Sequence, residues 1–137
     1  RGEVWAIEKK DEAVELLEEN RRKFALDNLT IVPGLAPEAL KELPAPTHVF
    51  IGGSSGNLIC IMEAALEKNP RVRFVINAIA LETVAEALEA LKSRPVTDSD
   101  IVTAMIGESK EIGRYHMMMG QNPVYVISCT GKGEEDE

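Results

Sequence analysis

Aromatic side chains are scarce in this chain: three Phe, two Tyr and one Trp in 137 residues. Fifteen Lys and Arg stand against 23 Asp and Glu, a net charge of −8. Together these argue against RNA or DNA as a partner, because bases need stacking platforms and phosphates need positive surface. An anionic membrane surface is disfavoured on the same electrostatic ground. Cysteine is limited to Cys60 and Cys129, far apart and in apolar runs, so two reduced, buried thiols in a cytoplasmic protein are expected rather than a disulfide framework. No apolar stretch approaches the ~20 residues of a membrane span, and no N-terminal targeting segment is expected. The chain does not begin with Met, so residue 1 is not expected to be the start of the natural gene.

Catalytic sets are missing too. His48 and His116 are the only histidines, and neither has a Cys or an acid at metal-ligand spacing, so no metal site is expected. Gly53-Ser54-Ser55-Gly56 has the wrong register for a nucleophile elbow. No Gly-Lys-Ser/Thr follows it, which excludes a P-loop, and it lacks the glycine spacing of a dinucleotide fingerprint. A reaction that mainly requires two bound molecules to be positioned fits such a chain best.

What is present is an alternation of strand-like and helix-like segments. Hydrophobic residues at 45% suffice for one core, expected over residues 1–130, with a frayed acidic tail over 131–137. Val4-Trp5-Ala6-Ile7 is a short apolar run ending at Glu8. Asp11 to Phe24 has helical spacing at Ala13, Leu16, Leu17 and Phe24, with acids early and bases late. Further strands are predicted over Leu29–Val32, His48–Ile51, Val72–Asn77, Asp100–Ile106 and Val124–Thr130. A helical turn or two is predicted from Pro37, and helices over Asn57–Lys68 and Leu81–Lys92. Gly107–Pro123, rich in Met, reads as irregular. This pattern predicts an α/β sheet, mostly parallel with one antiparallel strand near its end.

In such sheets ligands sit outside the carboxyl ends of the strands, and four features fall there. Glu8 can accept both hydroxyls of a ribose, or it is a surface acid ahead of Lys9. Gly34-Leu35-Ala36-Pro37 gives a tight loop whose apolar side chains can flank a flat ring, or an ordinary turn into a helix. Gly52 and Gly53 let a ligand approach the backbone closely, ahead of a helix N-terminus. Asn77 can donate to a carboxylate or satisfy its own loop.

The runs Ala6-Ile7-Glu8, Gly34-Leu35-Ala36-Pro37-Glu38-Ala39-Leu40 and Phe50-Ile51-Gly52-Gly53-Ser54-Ser55-Gly56 carry a family resemblance. So do Ala78-Ile79-Ala80-Leu81-Glu82-Thr83 and the stretch from Met117-Met118-Met119 to Asn122-Pro123-Val124. The chain resembles the class I S-adenosylmethionine-dependent methyltransferases, and within them the C15-methylating part of the decarboxylating precorrin-6Y C5,15-methyltransferase family of cobalamin biosynthesis. The resemblance implies a Rossmann-like sheet and S-adenosylmethionine as methyl donor. Glu8 would hold the ribose hydroxyls, Gly34, Leu35 and Ala36 would line the adenine, and Gly52 and Gly53 would face the methyl group. Leu35 departs from the family, where Asp commonly stands. A tetrapyrrole substrate is implied, with Ser54, Ser55, Asn77, Lys110 and Arg114 as substrate-side candidates. So is a homo-oligomer, a tetramer being one form of it. The family's Gly-rich first loop, with its strand and helix, belongs ahead of Gly2 and is expected in the natural protein before residue 1. The reaction implied is methyl transfer from a sulfonium to a ring carbon, with loss of carbon dioxide from an acetate side chain. Competing readings are a class I methyltransferase acting on another small molecule or a protein, and a non-catalytic nucleotide-binding or assembly module.

Overall fold

A computed structural model describes residues 2–54 and 56–134. The chain divides into two compact units, Arg1–Ala45 and Pro46–Glu137.

In the first unit, β1 (Val4–Glu8) and β2 (Leu29–Pro33) pair in parallel, with α1 (Asp11–Lys23) between them in sequence. Asp11 and Glu12 occupy the first turn of α1 and Arg21, Arg22 and Lys23 the last, so charge complements the helix dipole at both ends. Of the apolar positions expected to share one face, Ala13 and Leu17 are half-buried, whereas Leu16 and Phe24 are exposed. A single 3-10 turn, Glu38–Leu40, follows β2.

The second unit holds a four-stranded sheet in the order β3-β4-β8-β5: β3 (His48–Ile51), β4 (Arg73–Ala78), β8 (Val124–Gly131) and β5 (Val96–Ala104). β3 and β4 are parallel, and β8 is antiparallel to both its neighbours. This is the mostly parallel sheet with one reversed strand. Helices α2 (Leu58–Lys68) and α3 (Leu81–Ser93) complete the layer. Strand periodicity decides the core: Phe74, Ile76 and Ala78 of β4 are buried while Arg73, Val75 and Asn77 are half-exposed. Opposite them, Cys129 pairs with Phe74 and Ile127 with Ile76, and α2 contributes Leu58, Ile61, Met62, Ala65 and Leu66. Each large side chain fully removed from water here stabilises the unit by roughly 1.5–3 kcal/mol.

Four expectations change. Cys60 is exposed and only Cys129 is buried; in a five-residue apolar run on a helix, one position must face outward. Strand β5 begins at Val96 rather than Asp100, and a bulge between Thr97 and Asp100 absorbs the polar residues. The Arg73 guanidinium anchors that bulge, donating to Thr130 Oγ1 at 2.7 Å, Ser128 Oγ at 3.0 Å and the Asp98 carbonyl at 3.4 Å. Gly131 is not the start of a frayed tail. It closes β8, where a Cβ would land on the Pro70 carbonyl, and Lys132 and Gly133 donate backbone hydrogen bonds to Pro95 and Pro70. Finally, the stretch read as irregular is a regular antiparallel hairpin, β6 (Gly107–Ile112) and β7 (Tyr115–Gly120), paired from Gly107↔Gly120 to Ile112↔Tyr115. Its two-residue turn opens with Gly113 at φ 61°, the left-handed value that short hairpin turns require and that glycine adopts without a Cβ clash.

Candidate active site

Glu8 is the last residue of β1 and faces Pro33, the last of β2. The next rung is also made: Gly34 N–H donates to the Glu8 carbonyl at 2.9 Å. The acid and the loop Gly34-Leu35-Ala36 therefore meet at the carboxyl end of one parallel strand pair. The Glu8 carboxylate accepts from Lys10 N–H at 2.9 Å through Oε1, so the chain curls round the acid just after the strand and orients it. Leu35 is 43% exposed and is not a core residue. Ala39 N–H donates to the Leu35 carbonyl at 2.9 Å, which closes the loop into the 3-10 turn. A half-buried carboxylate beside a short apolar loop can accept hydrogen bonds from a vicinal diol attached to a flat ring.

Gly52, Gly53 and Ser54 leave the carboxyl end of β3. Ile51 pairs with Ile76, so Gly52 lies one rung on, level with Asn77 at the far end of β4. A Cβ at Gly52 would lie 3.1 Å from the Phe50 ring, whereas Gly53 faces open space. Ser54 is buried and its carbonyl accepts from Asn57 N–H at 2.9 Å. Ser55 lies outside the described residues. At the start of α2, Ile59 N–H points to Glu86 Oε1 of α3 at 3.5 Å. Sequence reasoning passed over Glu86, because a helix–helix contact of this kind leaves no local motif. It also passed over Phe50, whose ring is 69% exposed on β3 beside Gly52. Its exposed position was signalled only by the strand's alternation.

Lys110 and Arg114 belong to the hairpin rather than to a strand-end loop. Arg114 stacks on the Tyr115 ring with its guanidinium 5.2 Å from the centroid and donates to the Tyr115 hydroxyl at 3.0 Å. Lys110 sits in mid-strand opposite Met117. Among the described residues no three His, Cys, Asp or Glu side chains gather to hold a metal ion, and no helix is long and apolar enough to cross a membrane.

Residues 1–130 match the model of the precorrin methyltransferase domain. The chain belongs to that family. It is 34% identical over 128 residues to the cobalt-precorrin-6B C(15)-methyltransferase (decarboxylating) of Salmonella typhimurium, covering 93% of this chain and 66% of that protein. The crystal structure of precorrin-6y C5,15-methyltransferase from Geobacter metallireducens superposes with a TM-score of 0.84 at 32% identity, over 94% of this chain and 68% of the other. That of a precorrin 8W decarboxylase from Methanobacterium thermoautotrophicum gives 0.81 at 35% identity, over 92% and 68%. The chain thus spans about two thirds of the length of the curated relatives it matches. In an open α/β sheet of this kind ligands bind outside the carboxyl ends of the strands, the end at which Glu8, Gly34 and Gly52 lie in this precorrin methyltransferase domain.

Proposed function

We propose that the protein is an S-adenosylmethionine-dependent C-methyltransferase of corrin biosynthesis, methylating a precorrin at C15 with decarboxylation of an acetate side chain. Residues 1–130 act in it as one methyltransferase-like domain, in the cytoplasm and as a homo-oligomer. The observation that carries the reading is the juxtaposition of Glu8 with Gly34-Leu35-Ala36 at one strand-pair tip, in a chain of this family. Glu8 binds the two ribose hydroxyls of the donor. Leu35 and Ala36 flank the adenine, and the loop backbone offers it polar groups. When bound, S-adenosylmethionine supplies a methyl group already activated by the sulfonium charge. The chain's own work is then orientation and exclusion of water, which needs no nucleophilic side chain. At the β3 tip, Gly52 and Gly53 leave the backbone open to close approach, and Ser54 and Asn77 are the substrate-side residues we assign beside them. The substrate's carboxylates must be met locally in a protein of charge −8. Arg114, held by Tyr115, is the basic group we assign to them. Lys110, in mid-strand of the same hairpin, is the second.

Calorimetry on the full-length protein tests the assignment. Glu8→Ala lowers S-adenosylmethionine affinity by about tenfold or more, the loss of charge-assisted hydrogen bonds, and unchanged affinity removes the ribose role. Leu35→Asp leaves folding intact and keeps or tightens donor binding. Unfolding of that variant would make Leu35 a structural residue instead. With a precorrin substrate, product mass must show one methyl gained and one carbon dioxide lost.

A further inference from the structure

A helix that follows a parallel strand begins at the carboxyl rim of its sheet and points the positive end of its dipole there. Helices α1 and α3 carry their own acids against that end, Asp11 and Glu12 in the first turn of α1 and Glu82 in the first turn of α3. Helix α2 has none in its first turn, although it starts just after the glycine loop at the β3 tip. That turn reads Leu58-Ile59-Cys60-Ile61. Leu58 and Ile61 are buried and Ile59 is half-buried, so apolar packing takes the positions an acid would use, save the exposed Cys60.

The carboxylate arrives from the neighbouring helix instead. Glu86, half-buried in the second turn of α3, sets its Oε1 3.5 Å from Ile59 N–H. That N–H is one of those at the start of α2 with no partner inside the helix. The separation is long for a hydrogen bond but short for a charge. A full negative charge so placed outweighs the roughly half positive charge of a helix N-terminus, so the start of α2 presents a negative potential to the loop ahead of it.

The sign decides which ligand that loop favours. A bare helix N-terminus attracts phosphates and carboxylates and repels a cation; one covered by a carboxylate does the reverse. In the function proposed above the donor carries a sulfonium, and the family resemblance has Gly52 and Gly53 facing its methyl group. Loss of that methyl group leaves a neutral thioether, S-adenosylhomocysteine, which gains nothing from a negative potential.

We propose that Glu86 is a positioning residue for the methyl donor: by reversing the electrostatic sign of the α2 N-terminus it makes the β3-tip loop prefer the charged donor over the neutral spent one. This deepens the donor assignment above and rests on it.

Calorimetry on the full-length protein with the two ligands in turn tests it, because they share the adenosine and amino-acid parts and differ in the methyl group and its charge. E86Q keeps an oxygen facing Ile59 N–H and removes the charge. It weakens S-adenosylmethionine about two- to fivefold and leaves S-adenosylhomocysteine at its wild-type affinity. Adding C60D to E86Q returns a carboxylate to the first turn of α2 at an exposed position and restores the donor's affinity. Circular dichroism checks that each variant is folded. An affinity ratio that E86Q leaves unchanged, whether neither ligand or both lose affinity, overturns the role of Glu86 while leaving the donor site standing; so does a C60D addition that restores nothing. Glu8→Ala removes a contact to the shared ribose and weakens both ligands alike, which separates the two assignments. A wild-type protein that binds neither ligand overturns both.

Discussion

The second unit contains two regular antiparallel ladders that treat their side chains in opposite ways. Where β4 pairs with β8, every second residue is sealed beneath α2 and α3: Phe74, Ile76, Ile127 and Cys129 are almost wholly out of water. Where β6 pairs with β7 nothing is buried, and Met118 is 68% exposed. Backbone hydrogen bonding is equally regular in both, so regularity alone does not make a core. The first ladder is held by burial. The second is held by its turn and by cross-strand contacts.

That contrast breaks most visibly at Phe74. Phe74→Ala empties the centre of the β4–β8 layer and costs about 3–5 kcal/mol in chemical denaturation; a loss under about 1 kcal/mol would mean the layer is not the stabilising core. Next comes Arg73, on the less buried face of the same ladder. Arg73→Met leaves the Ser128 and Thr130 hydroxyls and the Asp98 carbonyl without their shared donor, a loss of about 1–2 kcal/mol that also loosens the β5 bulge. Its charge has a second effect. Burial raises the Cys129 thiol pKa above the ordinary 9.0, while Arg73 opposes that rise. In the unfolded chain the thiol therefore ionises first. The stabilisation is intact below pH 9.0 and is lost as pH climbs through the folded value. Arg73→Met steepens that alkaline decline, and urea titrations across about pH 8–10 measure it. The smallest effect belongs to the hairpin: Met118→Ala changes the stability of the protein by less than about 0.5 kcal/mol. If this variant matched Phe74→Ala, the two ladders would not differ as described.

Legibility in the sequence followed the same divide. β1 to β4 announce themselves as short apolar runs, and the buried face of α2 through Leu58, Ile61, Met62 and Ala65 follows from helical spacing. The tip formed by Glu8 and Gly34 was also readable, since an acid and a glycine each directly follow an apolar strand. The hairpin was not. Met117 and Met119 share one face of β7 and Met118 lies on the other, so three consecutive methionines erase the alternation that marks a half-buried strand. The start of β5 was hidden for a related reason. Thr97, Asp98, Ser99 and Asp100 contain no apolar residue, and what makes them strand is pairing with β8 and the reach of Arg73 from β4, partners distant in sequence. Cys60 shows the reverse error, an apolar neighbourhood mistaken for burial.

The first unit secures its strand pair at both ends: Val4 N–H reaches the Asn28 carbonyl at 2.9 Å, Asn28 Nδ2 reaches the Gly2 carbonyl at 2.7 Å, and Gly34 N–H reaches the Glu8 carbonyl. Slippage of β1 past β2 by a single residue would bring Ile7 or Lys9 to the terminal rung and turn the carboxylate toward the opposite side. The chemistry of that rim is thus written in alignment as much as in amino-acid identity. Extra residues in the α1–β2 connection can bulge outward without consequence, whereas one added inside either strand would silence the acid while leaving it in the chain.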